Sequence, residues 1–509
     1  MRARLLAAVV VLCLSACAVA PPPPKPPPGY ATAPADGGAL AAVERAVQGL
    51  QGHDASGFRL LSANADALDW RLALVDAAEH ALDLQYYVWF GDTVGQLLMS
   101  RVIAAADRGV RVRILFDDLN TLLHDMSHVE LRDRALARLD EHPRIEIRIF
   151  NAWRERGLLG RLVETAGDFN RLNRRMHNKQ MVADNRVAII GGRNIGDEYF
   201  GLNREFNFHD LDVLGVGPVA RQASAVFDRY WNSDWVRRIP SRAAGSPRSG
   251  GTDPAQSLER SARSGATGPS LASPRRGVEG LAASLVVGHS SVHTDSPSRA
   301  ADAVNHMPEA FRSLMLSARR EVLITNAYVI PDARFIQDLR DLVARGVRVR
   351  LLTNSLASHD VAAVNSHYEG WRRAIVGSGA QLHEWRPDAA AKDALVDTAP
   401  VRSRFAGLHT KAMVVDRERS FVGSMNLDPR SEVINAEMGV LIDSVPLAQR
   451  LAHRMEADME GANSWAVQAD AAGGLRWISD KGTLETQPAR SVWQHLQNAF
   501  FKLFPPSLY

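Results

Sequence analysis

Arg108-Gly109-Val110-Arg111-Val112-Arg113-Ile114-Leu115 returns later in the chain as Arg345-Gly346-Val347-Arg348-Val349-Arg350-Leu351-Leu352, with one Ile/Leu exchange at the seventh place. Each copy follows an apolar stretch (Leu82 to Trp89; Val322 to Ile330) and then a segment of helical periodicity (Val94 to Asp107; Ala333 to Ala344). Glycine ends each helix because it adopts the left-handed conformation of a helix C-terminus at no steric cost, and the alternating Val/Arg run then forms a strand. A strand, helix, strand unit written twice predicts a duplicated α/β domain with pseudo-two-fold symmetry.

A second shared element lies downstream of each unit. It reads His177-Asn178-Lys179, Asp184, Gly191, Gly192, Asn194 in the first half and His409-Thr410-Lys411, Asp416, Gly423, Ser424, Asn426 in the second. Counted from the histidine, lysine stands at +2, aspartate at +7, glycine at +14 and asparagine at +17 in both copies. The flanks Met181 to Ala183 and Ala412 to Val415 are apolar and β-prone, so the period of two sends His and Lys to one side. A turn through Asp184-Asn185 or Asp416-Arg417 returns the chain along Val187 to Ile190 or Ser420 to Val422. Asp184 and Asp416 belong to the motif set, but their odd offset from the lysines turns them away, and a role in the turn follows.

If the pseudo-symmetry brings the halves together, paired His, Lys and Asn side chains converge on one site. Such a set suits attack on a phosphodiester without a metal or other cofactor. One imidazole is the nucleophile, the other the general acid to the leaving oxygen, while Lys179, Lys411, Asn194 and Asn426 bind the non-bridging oxygens. A nucleophilic imidazole needs an acceptor at its other nitrogen. Glu437 and Asp212 are the candidates, each beside an apolar strand-like run, with Asp210 as the alternative to Asp212. Gly192 stands where the second half has Ser424, which makes the halves chemically unequal there and permits closer backbone approach to a phosphate.

A solitary H-x-K is common on protein surfaces; two copies with identical companions are not. The pattern H-x-K-x4-D followed by G-[GS]-x-N resembles the phospholipase D superfamily, over about Leu60 to Asp443. The strings Leu84-Gln85-Tyr86-Tyr87, Asn173-Arg174-Arg175-Met176-His177-Asn178-Lys179 and Gly191 through Phe200 resemble its cardiolipin synthase C type. The resemblance implies two phospholipase D-type domains, each a mixed sheet flanked by helices, with one active site at their interface. It implies transfer of a phosphatidyl group from a phospholipid such as phosphatidylethanolamine to phosphatidylglycerol, with His177 as nucleophile and His409 as acid. The residues alone leave those two roles exchangeable. The same chemistry with water as acceptor gives a hydrolase, and on a nucleic acid backbone a nuclease; an idle scaffold is the remaining reading.

The chain has 509 residues, 46% apolar and 23% charged, which excludes a disordered or fibrous protein. Its two cysteines, Cys13 and Cys17, lie at the very start, so the body has no disulfide framework, cysteine-ligated zinc or cysteine nucleophile. Residues 237–280 carry eight arginines against three acids, and with Arg2, Arg4 and Lys25 also set aside the net charge of +3 leaves −5 on the remainder. Such a body exerts little long-range attraction on nucleic acid, and no nucleic acid partner is expected.

Met1-Arg2-Ala3-Arg4, an apolar run to Leu14 and Leu14-Ser15-Ala16-Cys17 resemble a bacterial lipoprotein signal, with residues 1–16 removed and Cys17 lipidated. An ordinary secretory leader is the alternative. Ala18 fits sorting to the outer membrane, with the body facing the periplasm. The prolines between Pro21 and Pro28 make residues 17–40 a stiff tether that holds the body off the membrane. The expected division is then a lobe at 41–236, a flexible Ser/Gly/Pro/Arg connector at 237–280, a second lobe at 281–465 and an extension at 466–509.

Weaker signals complete the reading. Val492, Trp493, Leu496, Ala499, Phe500, Leu503 and Phe504 share one helical face, which fits packing on the body or lying in a membrane interface. The basic stretch Arg154 to Lys179 reads either as a lid for anionic lipid or as a solvated loop. His289 and His293 are four apart but have no third ligand nearby, so no metal site is expected, and Gly191 to Gly196 lacks dinucleotide-loop spacing.

Overall fold

The computed structural model describes residues 25–118, 136–154, 158–239, 277–298, 305–470 and 473–504. The leader, Cys17 and residues 240–276 of the expected connector lie outside the described residues.

The strands of the first half are β1 Ser56–Leu61, β2 Ala81–Tyr86, β3 Arg111–Asp117, β4 Ile145–Phe150, β5 Gln180–Ala183, β6 Val187–Gly191, β7 Phe206–His209, β8 Asp212–Val216 and β9 Val236–Arg238. Those of the second are β10 Val286–Thr294, β11 Glu321–Asn326, β12 Arg348–Asn354, β13 Gln381–Trp385, β14 Phe405–Leu408, β15 Lys411–Val415, β16 Arg419–Gly423, β17 Met438–Asp443, β18 Ser464–Ala469, β19 Leu475–Ser479 and β20 Gly482–Leu484. Pairings give the first half the order β9-β4-β3-β2-β5-β6-β8-β1. The second runs β10-β17-β16-β15-β11-β12-β13-β18-β19-β20. Antiparallel pairing of β1 with β10 (Gly57↔Val287) makes them one continuous sheet.

The repeated octapeptides are β3 and β12, each parallel to the strand before it (Ala81↔Arg111; Glu321↔Arg348). The parallel return needs a crossover helix, supplied by Thr93–Asp107 and Ala333–Ala344. Asp92 and Asp332 cap these helices by accepting from Gly95 N and Phe335 N, and Gly109 and Gly346 close them at φ 102° and 81°. The duplicated mixed α/β architecture is therefore as the sequence predicts.

Each half buries apolar positions between sheet and helices. One core is common to both: Ala220, Ala223 and Phe227 of the helix Pro218–Trp231 pack in the same cluster as Leu447, Leu451 and Met455 of the helix Val445–Asp458. A shared core of this kind fixes the two halves relative to one another, because sliding either would expose buried apolar surface.

Two expectations change. Residues 25–35 do not stand off as a tether; they lie on the first half. Asn232 bonds Gly29 N and O at 2.8 and 2.9 Å, Arg148 donates to Pro27 O at 2.7 Å, and Arg111 donates to Tyr30 O at 2.6 Å. Proline removes backbone donors but leaves carbonyl acceptors, and arginines of β3 and β4 satisfy them. The helix Val492–Phe501 also turns the other way from body packing: Gln494 and Asn498 are buried, whereas Val492, Trp493, Leu496 and Phe500 are exposed.

The basic stretch forms the helices Leu158–Gly167 and Phe169–Asn173, with Arg171 paired to Glu164 and Asp168 and Arg154 to Asp168. These arginines are committed to neighbouring carboxylates. Among the described residues no group of three or more His, Cys, Asp or Glu is arranged to hold a metal, and His289 and His293 sit on β10 without a third ligand.

Candidate active site

Each histidine stands just ahead of a hairpin, β5–β6 or β15–β16, whose turn needs positive φ at two consecutive residues: Asp184 and Asn185 (52° and 54°), Asp416 and Arg417 (54° and 57°). Asp and Asn tolerate this left-handed region better than most non-glycine residues. The Asp184 carboxylate accepts from Glu79 N, His80 N and Ala81 N at 3.0, 2.8 and 2.8 Å. Asp416 accepts from Arg319 N, Arg320 N and Glu321 N in the same manner. Both aspartates pin the hairpin to the start of β2 or β11, at the far end from the histidines. They do not join the reacting groups.

The histidines are brought together by an exchange between halves. A parallel bridge joins Met176 to Ala436, and His177 N donates to Ala436 O at 2.8 Å, which sets His177 beside Glu437. Symmetrically, β7 runs parallel to β14 (His209↔Leu408), and His409 N donates to His209 O at 2.8 Å, which sets His409 beside Asp210. His177 Nδ1 lies 2.8 Å from Glu437 Oε2, and His409 Nδ1 lies 2.6 Å from Asp210 Oδ2. With a carboxylate at Nδ1, each ring is assigned a proton there, which leaves Nε2 to carry the lone pair of a nucleophile or the second proton of an acid.

Asp212 is not a histidine partner, which corrects the expectation for it. Its carboxylate takes ion pairs from Arg71 and Arg193, both at 2.9 Å, in the first-half core. The register explains the exchange. Gly191 pairs with Asp212 as Gly423 pairs with Gly439, and Gly192 N→Leu211 O matches Ser424 N→Met438 O, so the counterpart of Glu437 is Asp210.

Gly192 also has a different reason from phosphate approach. A Cβ there would stand 2.2 Å from Asp210 Oδ1, so glycine makes room for the carboxylate that holds His409. Its counterpart Ser424 instead donates to Glu437 Oε2 at 2.6 Å, and Ser431 donates to Oε1 at 2.8 Å.

The lysines are buried, and each folds back on its own histidine: Lys179 Nζ donates to His177 O at 2.7 Å and Lys411 Nζ to His409 O at 2.5 Å. Their ammonium groups lie 5.2 Å from the Tyr87 ring and 5.8 Å from the Tyr328 ring. Asn194 accepts from Val88 N at 3.2 Å and donates to Tyr199 OH at 3.0 Å, while Asn426 Oδ1 is buried without a partner. The aromatic walls were not visible in the motif: Tyr87 is edge-on to His177 at 4.9 Å, and Tyr199 to His409 at 5.2 Å. The strings Leu84 to Tyr87 and Gly191 to Phe200 contain these two tyrosines but gave them no role.

The charges are unequal. Burial, with Lys179, Lys411 and His409 close by, holds His177 well below the ordinary imidazole value. His409 is lowered by burial and Lys411 against the opposing pull of Asp210. Burial pushes Glu437 up to about 7 despite Lys179 and its serine donors. Burial acts upward on Asp210 too, but His409, Lys411 and Arg193 keep it below the usual carboxylate range. Burial drives Lys179 well down and Lys411 down to about 8. Two imidazoles whose Nε2 atoms are left clear of the carboxylates, flanked by two lysines, therefore form a pocket suited to an anionic phosphodiester.

The family model for the phospholipase D-like domain of cardiolipin synthases matches residues 72–231 and 311–459, so both halves are covered. Cardiolipin synthase C of Escherichia coli (strain K12) is 35% identical over 87% of this chain and 94% of its own length. The major cardiolipin synthase ClsA of Bacillus subtilis (strain 168) is 23% identical over 88% of this chain and 75% of its own length. Among solved structures, the phosphatidylserine synthase of Haemophilus influenzae Rd KW20 shares the fold, with a TM-score of 0.54 at 15% identity, over 84% of this chain and 92% of that one. The chain belongs to the phospholipase D superfamily, in its cardiolipin synthase-like domain family.

Proposed function

We propose that this phospholipase D-superfamily protein is a phosphatidyltransferase that makes cardiolipin-type lipid by passing a phosphatidyl group through His177 to phosphatidylglycerol. The observation that carries the reading is the pair of imidazoles, each held at Nδ1 by a carboxylate from the opposite half, with Lys179 and Lys411 beside them. Similarity to cardiolipin synthase C over nearly the full length of both chains supports the lipid substrate class.

His177 Nε2 attacks the phosphorus of a donor such as phosphatidylethanolamine, the bond to the headgroup oxygen breaks, and His409, which starts as an imidazolium paired with Asp210, gives that oxygen its Nε2 proton and becomes neutral. The result is a phosphohistidine and a released alcohol. His409 then takes the proton of the phosphatidylglycerol hydroxyl, whose oxygen attacks phosphorus as the P–N bond breaks, and both rings return to their starting states. The difference between the two carboxylates favours this division of labour. Asp210 stays ionised and steadies a protonated His409, whereas the buried surroundings of His177 favour a neutral ring. The lysines, with Asn194 and Asn426, steady the charge on the non-bridging oxygens.

The leader and Cys17 support a periplasm-facing lipoprotein, in the outer membrane by the residue after the cysteine. The test is purified protein in chelator, offered phosphatidylglycerol alone, phosphatidylglycerol with phosphatidylethanolamine, or single-stranded DNA. Cardiolipin as product supports the proposal; phosphatidic acid alone makes the protein a hydrolase, and shortened DNA a nuclease.

A further inference from the structure

The C-terminal helix Val492–Phe501 is built inside out. Toward the body it presents amides: Gln494 Nε2 donates to Leu356 O at 3.1 Å, Asn365 Nδ2 donates to Asn498 Oδ1 at 2.7 Å, and Asn498 Nδ2 donates to Glu369 Oε2 at 2.6 Å. Toward the outside it presents Val492 (76% exposed), Trp493 (64%), Leu496 (56%) and Phe500 (55%), followed by Leu503 (79%) and Phe504 (37%). Specific polar anchors fix the helix's rotation, so the outward apolar face is held in place and not a helix that failed to pack.

Three further observations identify what covers it. From Thr486 to Tyr509 the sequence has no Asp or Glu, against Arg490 and Lys502, and Lys502 pairs with Glu369, the acid beneath the helix, so the outward side is not acidic. Tryptophan and phenylalanine with adjacent basic residues suit the headgroup–acyl boundary of a bilayer. The helix is also one layer from the site. Its anchor Leu356 lies three residues before His359, whose ring stacks on Tyr328 at 5.3 Å, and Tyr328 is edge-on to His409 at 6.4 Å. Val361, 37% exposed, immediately precedes the helix Ala362–Tyr368 on which the C-terminal helix packs.

We propose that this outward face docks on an anionic phospholipid bilayer and seats the His409 side of the active site against the lipid surface. The inference rests on the lipid-substrate reading above, and it adds that bilayer engagement is a function of the body's C-terminus, separable from any lipid on Cys17. Extracting a two-tailed lipid from a bilayer brings many methylenes into water, each at a free-energy cost. An enzyme that rests its site on the surface avoids most of that cost.

The test uses the full chain with Cys17→Ser, compared with the same chain carrying Trp493→Ser, Leu496→Ser and Phe500→Ser. Flotation with phosphatidylglycerol/phosphatidylethanolamine vesicles should fall at least tenfold in the triple variant, and turnover on those vesicles should fall with it. Turnover on short-chain phosphatidylethanolamine with short-chain phosphatidylglycerol, both below their micelle concentrations, should stay within twofold, which separates this inference from the catalytic one. Equal flotation and equal vesicle turnover in the two proteins would overturn it, as would a dimer that the triple variant converts to monomer, since the face would then be an interface between copies. Loss of turnover on the dispersed lipid in the parent protein refutes the catalytic reading and leaves the flotation result to decide this one.

Discussion

Glu437 of the second half holds the imidazole of His177 of the first at 2.8 Å, and the reciprocal contact joins Asp210 to His409 at 2.6 Å. Neither half can orient its own histidine. The duplication therefore yields one composite site, and the shared core beneath it keeps the two contributions in register.

Glu437→Gln keeps the shape of the side chain but removes the charge that steadies the imidazolium and selects the Nδ1–H tautomer. The expected effect is a fall in kcat on the order of 10³-fold with little change in KM. Steady-state kinetics on mixed vesicles check this, and a drop confined to KM would point to a binding role instead.

Glu437 must be ionised to serve, and it sits up to about 7, so kcat/KM should rise as pH passes through about 7. Lys411 must be an ammonium, and burial brings it down to about 8, so activity should decline as pH passes above about 8. The profile is a narrow bell, and in Glu437→Gln its acid limb should flatten. A plateau from pH 5 to pH 10 contradicts the electrostatics described.

Gly192→Ala places a methyl 2.2 Å from Asp210 Oδ1 in the unrelaxed structure, and the nearby backbone leaves the carboxylate to move. His409 then loses its acceptor, so kcat should drop at least tenfold while Tm changes little. The serine at the equivalent place behaves differently: Ser424→Ala removes one donor to Glu437 and should cost about 1 kcal/mol of transition-state stabilisation, roughly fivefold in rate.

Asp184→Asn and Asp416→Asn separate fold from chemistry. Each carboxylate accepts from three backbone N–H groups away from the histidines, so replacement should lower stability by about 1–3 kcal/mol while kcat, measured well below Tm, is retained. Thermal unfolding and kinetics on the same sample decide it; normal stability with lost turnover would place these groups in the reaction.

The duplicated strand–helix–strand unit and the twin motif were legible because both are local. Val/Arg alternation gives β3 and β12, and the +2, +7, +14 and +17 spacing survives whatever the rest of the chain does. The partners of the histidines were less legible because they depend on long-range pairing. Asp210 and Asp212 differ by one strand period, lie on the same apolar segment, and are distinguished only by the match of Gly191↔Asp212 with Gly423↔Gly439. The outward stripe of the C-terminal helix defeated periodicity for another reason. An apolar face at helical spacing reads the same whether it meets a core or faces out, and the buried Gln494 and Asn498 have no sequence signature of burial. The proline-rich stretch misled because composition records missing donors, whereas its docking depends on acceptors met by Arg111 and Arg148.

In the proposed reaction phosphorus is carried on His177. The direct measurement is rapid acid-free quenching of the enzyme with phosphate-labelled phosphatidylethanolamine as donor, followed by digestion and mass mapping of the labelled peptide. The expected species is an acid-labile phosphoramidate on the peptide containing His177, absent from His177→Asn and accumulating in His409→Ala when the donor has a leaving group that needs no proton. Label on His409, or steady product formation with no labelled histidine at any time, contradicts it.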